Sequence, residues 1–271
     1  MAPPQVLRRT PAALGYTFPP EWARHKATWF SWPRPEGISF PDKYHTVPEN
    51  LARIIREITP REQVHINVPN GNYRRIVTGQ LTSHGCSMRN IHFHDIKTNE
   101  SWCRDHGPAF VKKGRKTAIV DWGFNAWGGK YPPYDDDDAV PTRIAAELAL
   151  PVFYPGIVME GGAVDFNGAG TILTTTDCLL NKNRNPGLSR RRIEQYLLDY
   201  YGQEKVCWLS GGIEGDDTDG HVDDLTRFFR ADGIVTSDRN SNLRISAHAY
   251  NVEEDIDAVL AGLARHRELL A

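Results

Sequence analysis

The chain has 271 residues, 40% of them hydrophobic, and its 32 basic residues against 34 acidic ones leave a formal charge of -2. That length can bury a core as one large domain or two small ones, and the balanced charge, with no long basic stripe, argues against a nucleic-acid partner. Met1 to Thr10 holds two arginines but no apolar region after them, and no apolar run approaches the roughly 20 residues that span a bilayer, so the expectation is a soluble, cytoplasmic protein with no membrane partner.

In chain order, the Pro-rich stretch 32–41 is interleaved with aromatics and predicts an ordered loop. Thr46 followed by Glu49 predicts a capping-box start for a helix over 47–58. A strand over Val64–Val68 and a helix over 73–84 follow, then a strand over Thr117–Val120. A second Pro-rich loop over 132–141 leads into a helix over 140–149. Beyond it come a strand over Gly170–Thr174, a helix over 189–201 with Ile193, Tyr196, Leu197 and Tyr200 on one stripe, and strands over Lys205–Leu209 and Gly233–Thr236. A final helix over 253–270 carries Ile256, Val259, Leu260 and Leu263. The pattern is mixed α/β. The runs 170–177 and 233–238 both end in hydroxyl residues and an aspartate, which hints at a repeated unit. No strand follows the last helix, so it is either part of a repeat cut short or a terminal helix docked on the outside. With no linker visible, residues 1–271 are expected to form a single domain, C-terminally incomplete if the repeat is cut. Cys86, Cys103, Cys178 and Cys207 form no C-x-x-C pair, so reduced and mostly buried thiols are expected rather than disulfides or structural zinc.

Four polar clusters could carry chemistry. Residues 99–108 place Trp102, Arg104, Asp105 and His106 together, and an indole beside a carboxylate suits a planar guanidinium; an internal Arg104–Asp105 pair is the bland alternative. Glu160 precedes Gly161 and Gly162, where a ligand or another backbone can come close, although a surface glutamate beside a bulge fits equally. In residues 215–224, an extended chain would put His221 and Asp223 on one face for general acid/base work, with Asp216, Asp217 and Asp219 bonding turn backbone. An EF-hand reading fails there, because Gly215 stands where the first aspartate should be. The aromatic, glycine-rich run Phe124–Tyr134, followed by Asp135–Asp138, suits a lid over a cation, against a packed loop with a solvated acidic tail. No P-loop, G-x-G-x-x-G or G-x-S-x-G occurs.

Together, Phe18-Pro19-Pro20-Glu21-Trp22, Ala27-Thr28-Trp29, Trp32-Pro33, residues 102–108, the 124–134 loop, Glu160-Gly161-Gly162, residues 181–186 and residues 215–224 resemble the agmatine deiminase and bacterial peptidylarginine deiminase family. The resemblance covers about residues 18–230. It implies a pentein, an α/β propeller of ββαβ-type units with pseudo-five-fold symmetry around a central site. It also implies that Asp105 and Glu160 grip a guanidinium beside Trp102, that His221 is the acid/base, and that Asp223 is a further carboxylate. The implied reaction converts agmatine to N-carbamoylputrescine and ammonia, in polyamine biosynthesis, with a small cationic guanidine as substrate and no metal or organic cofactor.

The family's cysteine nucleophile lies in a Gly-Gly-x-x-His-Cys stretch, and these 271 residues contain none. The expectation is therefore that they are inactive alone and leave an apolar face open, with Cys103 the one cysteine beside the expected cation site. A homodimer is the usual prior for a soluble enzyme. The alternatives are a peptidyl-arginine deiminase, a non-catalytic remnant that binds guanidinium compounds, and a metal-dependent hydrolase built on the aspartate-rich loop.

Overall fold

Stretches rich in β-branched residues form eleven short strands in the computed structural model, which describes residues 2–213, 215–230 and 233–236. The first unit runs β1 (Ala27–Ser31), α1 (Val47–Ile58), β2 (Gln63–Val68), α2 (Gly71–Ser83) and β3 (Ile91–Asp95), with all three strands parallel in the order β1-β2-β3. Ala52 and Ile55 of α1 and Val77 and Leu81 of α2 bury against Val64, Ile66 and Val68 of the central strand. Each large side chain so buried contributes about 1.5 to 3 kcal/mol, which is why both helices lie on this sheet.

The next two units repeat one plan. Strands β4 (Ala109–Lys113) and β5 (Lys116–Val120) make an antiparallel hairpin, α3 (Val140–Glu147) crosses over, and β6 (Val152–Phe153) returns parallel to β5. Then β7 (Val164–Phe166), β8 (Thr171–Thr175), α4 (Arg190–Tyr201) and β9 (Lys205–Leu209) do the same. A further antiparallel hairpin, β10 (Thr226–Arg230) with β11 (Gly233–Thr236), follows. Strands β5, β8 and β11 are thus equivalent, and the two similar runs at 170–177 and 233–238 begin at matching places in this repeat. The predicted helix over 253–270 lies outside the described residues.

The largest core cluster joins the second and third sheets, with Val111, Val120, Phe153, Val164, Phe166, Ile172, Ile193, Leu197 and Tyr201 packed together. Ser189 caps α4 by accepting from the Arg192 N–H, and Gly202 ends it in the left-handed region at φ 63°. A Cβ on Gly202 would lie 2.0 Å from the Tyr16 carbonyl oxygen, so the N-terminal segment can pass there only over a glycine.

The predicted helices 47–58, 73–84, 140–149 and 189–201 all form, ending within two residues of expectation. The capping box does not. Thr46 already has helical backbone angles at the end of a 3-10 turn, and its hydroxyl donates back to the Lys43 carbonyl at 2.9 Å, so no side chain caps α1. The loop expected over 132–141 is partly helical, since Asp135–Asp138 forms one turn ahead of α3. All four cysteines are free thiols; Cys86 and Cys178 are buried, whereas Cys103 and Cys207 are partly exposed. Among the described residues no helix is long and apolar enough to cross a membrane.

Candidate functional site

Three of the hairpins are preceded by a chemically loaded segment. Asp105 lies in the short helix Cys103–His106 just before β4, Glu160 stands before the 3-10 turn that leads into β7, and His221 and Asp223 precede β10. The repeat therefore brings the same stretch of successive units to one place. Gly162 lets them meet: a Cβ there would lie 2.5 Å from His221 Nδ1, 2.8 Å from Asp105 Oδ1 and 3.0 Å from Asp223 Oδ1.

His221 is 2% exposed, with Nδ1 3.6 Å from Asp105 Oδ1 and 4.0 Å from Asp223 Oδ1, while Nε2 lies 3.8 Å from Glu160 Oε2. Asp105 Oδ1 accepts the Gly162 N–H and Oδ2 accepts the Trp127 indole N–H, each at 3.0 Å. Burial opposes a charge on His221, but the Asp105 carboxylate, with Cys178 and Glu160, outweighs it and holds the imidazolium well above its ordinary range. Burial raises Asp105, against the pull of His221, and raises Asp223 to about 6. Glu160 resists its own burial because His221 and Arg184 keep it ionised below the usual range.

Arg184 is buried and makes a clamp. Its Nε donates to Glu160 Oε1 at 2.7 Å, Nη1 to Asp219 Oδ2 at 2.6 Å and Nη2 to the Thr218 carbonyl at 2.8 Å, so the loop carrying His221 is tied to Glu160. Lys130 from the glycine-rich loop also pairs with Asp219. Asp216 accepts from the N–H groups of Thr218, Gly220 and His221, fixing the turn as its sequence suggested.

A cavity of about 640 Å³ opens beside these groups, with Asp105, His221 and Asp223 in its wall along with Trp102, Trp127 and Tyr131. Trp102 is 42% exposed and held by its indole N–H on the Ser39 hydroxyl at 2.7 Å. Glu160 is not in that wall. It is 0% exposed and already engaged by Arg184, which corrects the surface-glutamate alternative.

Other expectations are corrected as well. Arg104 does not pair with Asp105 but with Glu21, Nη1 to Oε1 at 2.6 Å. Residues 221–223 are not extended, because Val222–Leu225 is a helical turn; His221 and Asp223 come together across its start. The acidic run is not a solvated tail: Asp137 is 2% exposed and accepts from the Asn99 and Glu100 N–H groups, while Asp138 accepts from Phe124 N–H at 2.7 Å. Cys103 is no ready thiolate, since burial pushes its thiol up to about 12 while it donates to the Ser31 hydroxyl. Among the described residues the donors Glu160, Cys178 and His221 lie within 4.8 Å of one another, and they are the set that could hold a metal ion. The aspartate-rich loop does not supply such a set, because Asp216 and Asp219 are spent on the turn and on Arg184 and Lys130. Trp127 and Arg184 were not singled out from the sequence; the first lay within the flagged aromatic loop, and the second within the 181–186 motif.

The sequence profile of the Porphyromonas-type peptidyl-arginine deiminase family matches residues 17–268. The agmatine deiminase of Pseudomonas putida is 35% identical over 257 residues, which cover 90% of this chain and 67% of that protein. A Legionella pneumophila protein with a provisional agmatine deiminase assignment is 36% identical over 223 residues, covering 82% of this chain and 62% of its own length. The chain spans 61 to 67% of the length of the curated relatives it matches. Among solved structures, the agmatine deiminase of Enterococcus faecalis superposes with a TM-score of 0.79 at 31% identity, covering 96% of this chain and 70% of that one. A substrate-bound agmatine deiminase of C. jejuni gives 0.74 at 25% identity, covering 91% and 71%. The fold is thus the pentein expected from the resemblance.

Proposed function

Because the chain belongs to the Porphyromonas-type peptidyl-arginine deiminase family, we propose that its cavity takes the guanidinium of agmatine for hydrolysis to N-carbamoylputrescine and ammonia. The observation that carries this is the pair of carboxylates, Asp105 and Asp223, facing one cavity on either side of His221 Nδ1. A guanidinium is planar, permanently charged and resonance-stabilised, so it must be held by acids before it can react. Asp105 and Asp223 do this, and Trp102 offers its indole face at the wall. Glu160, fixed by Arg184, is a positioning residue that orients His221 through Nε2.

Chemically, a cysteine thiolate adds to the guanidinium carbon to give a tetrahedral adduct. The C–N bond to the terminal nitrogen breaks, and His221, held protonated by its carboxylates, supplies the proton with which ammonia leaves. Water, deprotonated by the now neutral His221, then displaces the thiolate from the thiouronium. None of the four cysteines supplies that thiolate: Cys86, Cys103 and Cys178 are all pushed up by burial, and Cys207 lies on β9, outside the cavity wall. We therefore expect these 271 residues to bind agmatine without turning it over.

Calorimetric titration with agmatine tests the reading, with putrescine, which lacks the guanidinium, as comparison. Agmatine should bind at least about tenfold more tightly, a difference of about 1.4 kcal/mol or more. Equal affinities would overturn it, whereas steady ammonia release by these residues alone would overturn only the expectation that they bind without turnover. Tighter binding of a blocked arginine amide than of agmatine would move the assignment to a peptidyl substrate.

A further inference from the structure

We infer that Glu21 is a positioning residue that keeps the protein's own Arg104 out of the substrate's guanidinium site. The inference rests on the reading of Asp105 and Asp223 as the carboxylates that receive that guanidinium. Arg104 immediately precedes Asp105, its side chain is 48% exposed, and it lines the same cavity. Its Nε lies 3.9 Å from Asp223 Oδ2, so the nearest guanidinium to the proposed site is one the chain carries itself. A tethered group of this kind competes at an effective concentration of about millimolar or more.

Glu21 removes that competitor. Its Oε1 takes Arg104 Nη1 at 2.6 Å and also Arg227 Nη2 at 2.7 Å, and the same Arg227 Nη2 lies 3.1 Å from Asp165 Oδ1. Glu21 belongs to the N-terminal segment, 84 residues from Asp105, and no feature of the sequence marked it as part of the site. Burial opposes its ionisation, but Arg104 and Arg227 bring it down to about 2, so it stays charged at any working pH. Without that charge, Arg104 is free to turn its fork onto Asp223 and Asp105, whose geometry accepts a guanidinium bidentately.

The test is calorimetric titration of the full 271-residue chain with agmatine at about pH 8, above the value of about 6 to which burial raises Asp223. Glu21→Gln should weaken binding by about tenfold or more, Arg104→Gln should change it by less than about threefold, and the double variant should return to within about threefold of the parent. Restoration by the second substitution is the decisive readout, because a merely structural role for Glu21 would not be repaired by deleting its partner. Parental affinity in Glu21→Gln, a double variant as weak as Glu21→Gln, or tenfold weakening by Arg104→Gln alone would each overturn the inference. If Glu21→Gln loses its cooperative thermal transition, Glu21→Asp replaces it: a shortened carboxylate should weaken binding by about threefold, again repaired by Arg104→Gln, and no weakening overturns the inference. Absence of binding by the parent chain would instead sink the proposed function.

Discussion

Two regions of this molecule hold carboxylates shaped for a guanidinium, and they differ in whether the protein fills them. At the first, Glu160 and Asp219 close on the buried Arg184, with the Thr218 carbonyl completing the fork. At the second, Asp105 and Asp223 face a cavity, and Arg104 puts Nη1 on Glu21 while its Nε stays 3.9 Å from Asp223 Oδ2. The same recognition chemistry serves structure in the first place, and in the second we propose that it serves the substrate. Sequence alone cannot separate them, because an aspartate or glutamate near a glycine looks alike whether its partner is an internal side chain or a substrate.

The comparison can be broken most sharply at the filled site. Arg184→Gln leaves buried Glu160 and partly exposed Asp219 without the cation that joins them, with His221 left beside Glu160, and should cost about 3 to 5 kcal/mol of folding stability, read by denaturant unfolding. A loss below about 1 kcal/mol would mean that the clamp is not structural. At the open site, Asp105→Asn should instead weaken agmatine binding by about 2 to 5 kcal/mol while the unfolding midpoint moves far less, since the amide can still accept from Gly162 or Trp127. A variant that binds as tightly as the parent would remove Asp105 from the site.

Acidity sharpens the contrast. Burial holds Asp223 at about 6, so it is neutral below that pH and charged above it. Its attraction for a cation is therefore present above about 6 and lost as pH falls through it, and agmatine affinity should drop by up to about tenfold between pH 7 and pH 5. A flat profile would place the cation elsewhere. The smallest effect is expected at the edge of the clamp, where Lys130 pairs with Asp219 in partial contact with solvent. Lys130→Met should cost about 0.5 to 1 kcal/mol, shrinking further in high salt.

Much of the fold was legible because helices announce themselves by the spacing of their apolar residues, whereas the one cap read from the sequence, Thr46–Glu49, does not form. Ile193 and Leu197 fell on the buried stripe as expected, and Ser189 and Gly202 bound the helix at its ends. Six strands, β1, β3, β4, β6, β7 and β10, were missed. β6 has only two residues, β7 has three, all of them buried, so it shows no alternation, and β4 ends in two lysines. Asp105, His221 and Asp223 were singled out because turn-rich polar segments are conspicuous, and the structure brings the three side chains together. Glu160 was found for its glycines but its partner was not, since Arg184 lies 24 residues on and only the third unit's folding joins them. Trp127 was covered only as part of the 124–134 run and Glu21 only as part of the 18–22 motif, because their partners Asp105 and Arg104 lie far away in the chain.

The matching placement of Asp105, Glu160 and His221 just ahead of successive hairpins has a further consequence. A single-residue insertion in one connector would swing that unit's side chain away from the centre while its strands kept their pairing, whereas substitutions on the outer faces of the sheets would leave all the polar groups where they are. The connectors, four residues from Asp105 to β4 and from Glu160 to β7 and five from His221 to β10, are therefore each fitted to their own unit, and they tolerate a change of length less well than the outer faces tolerate a change of residue.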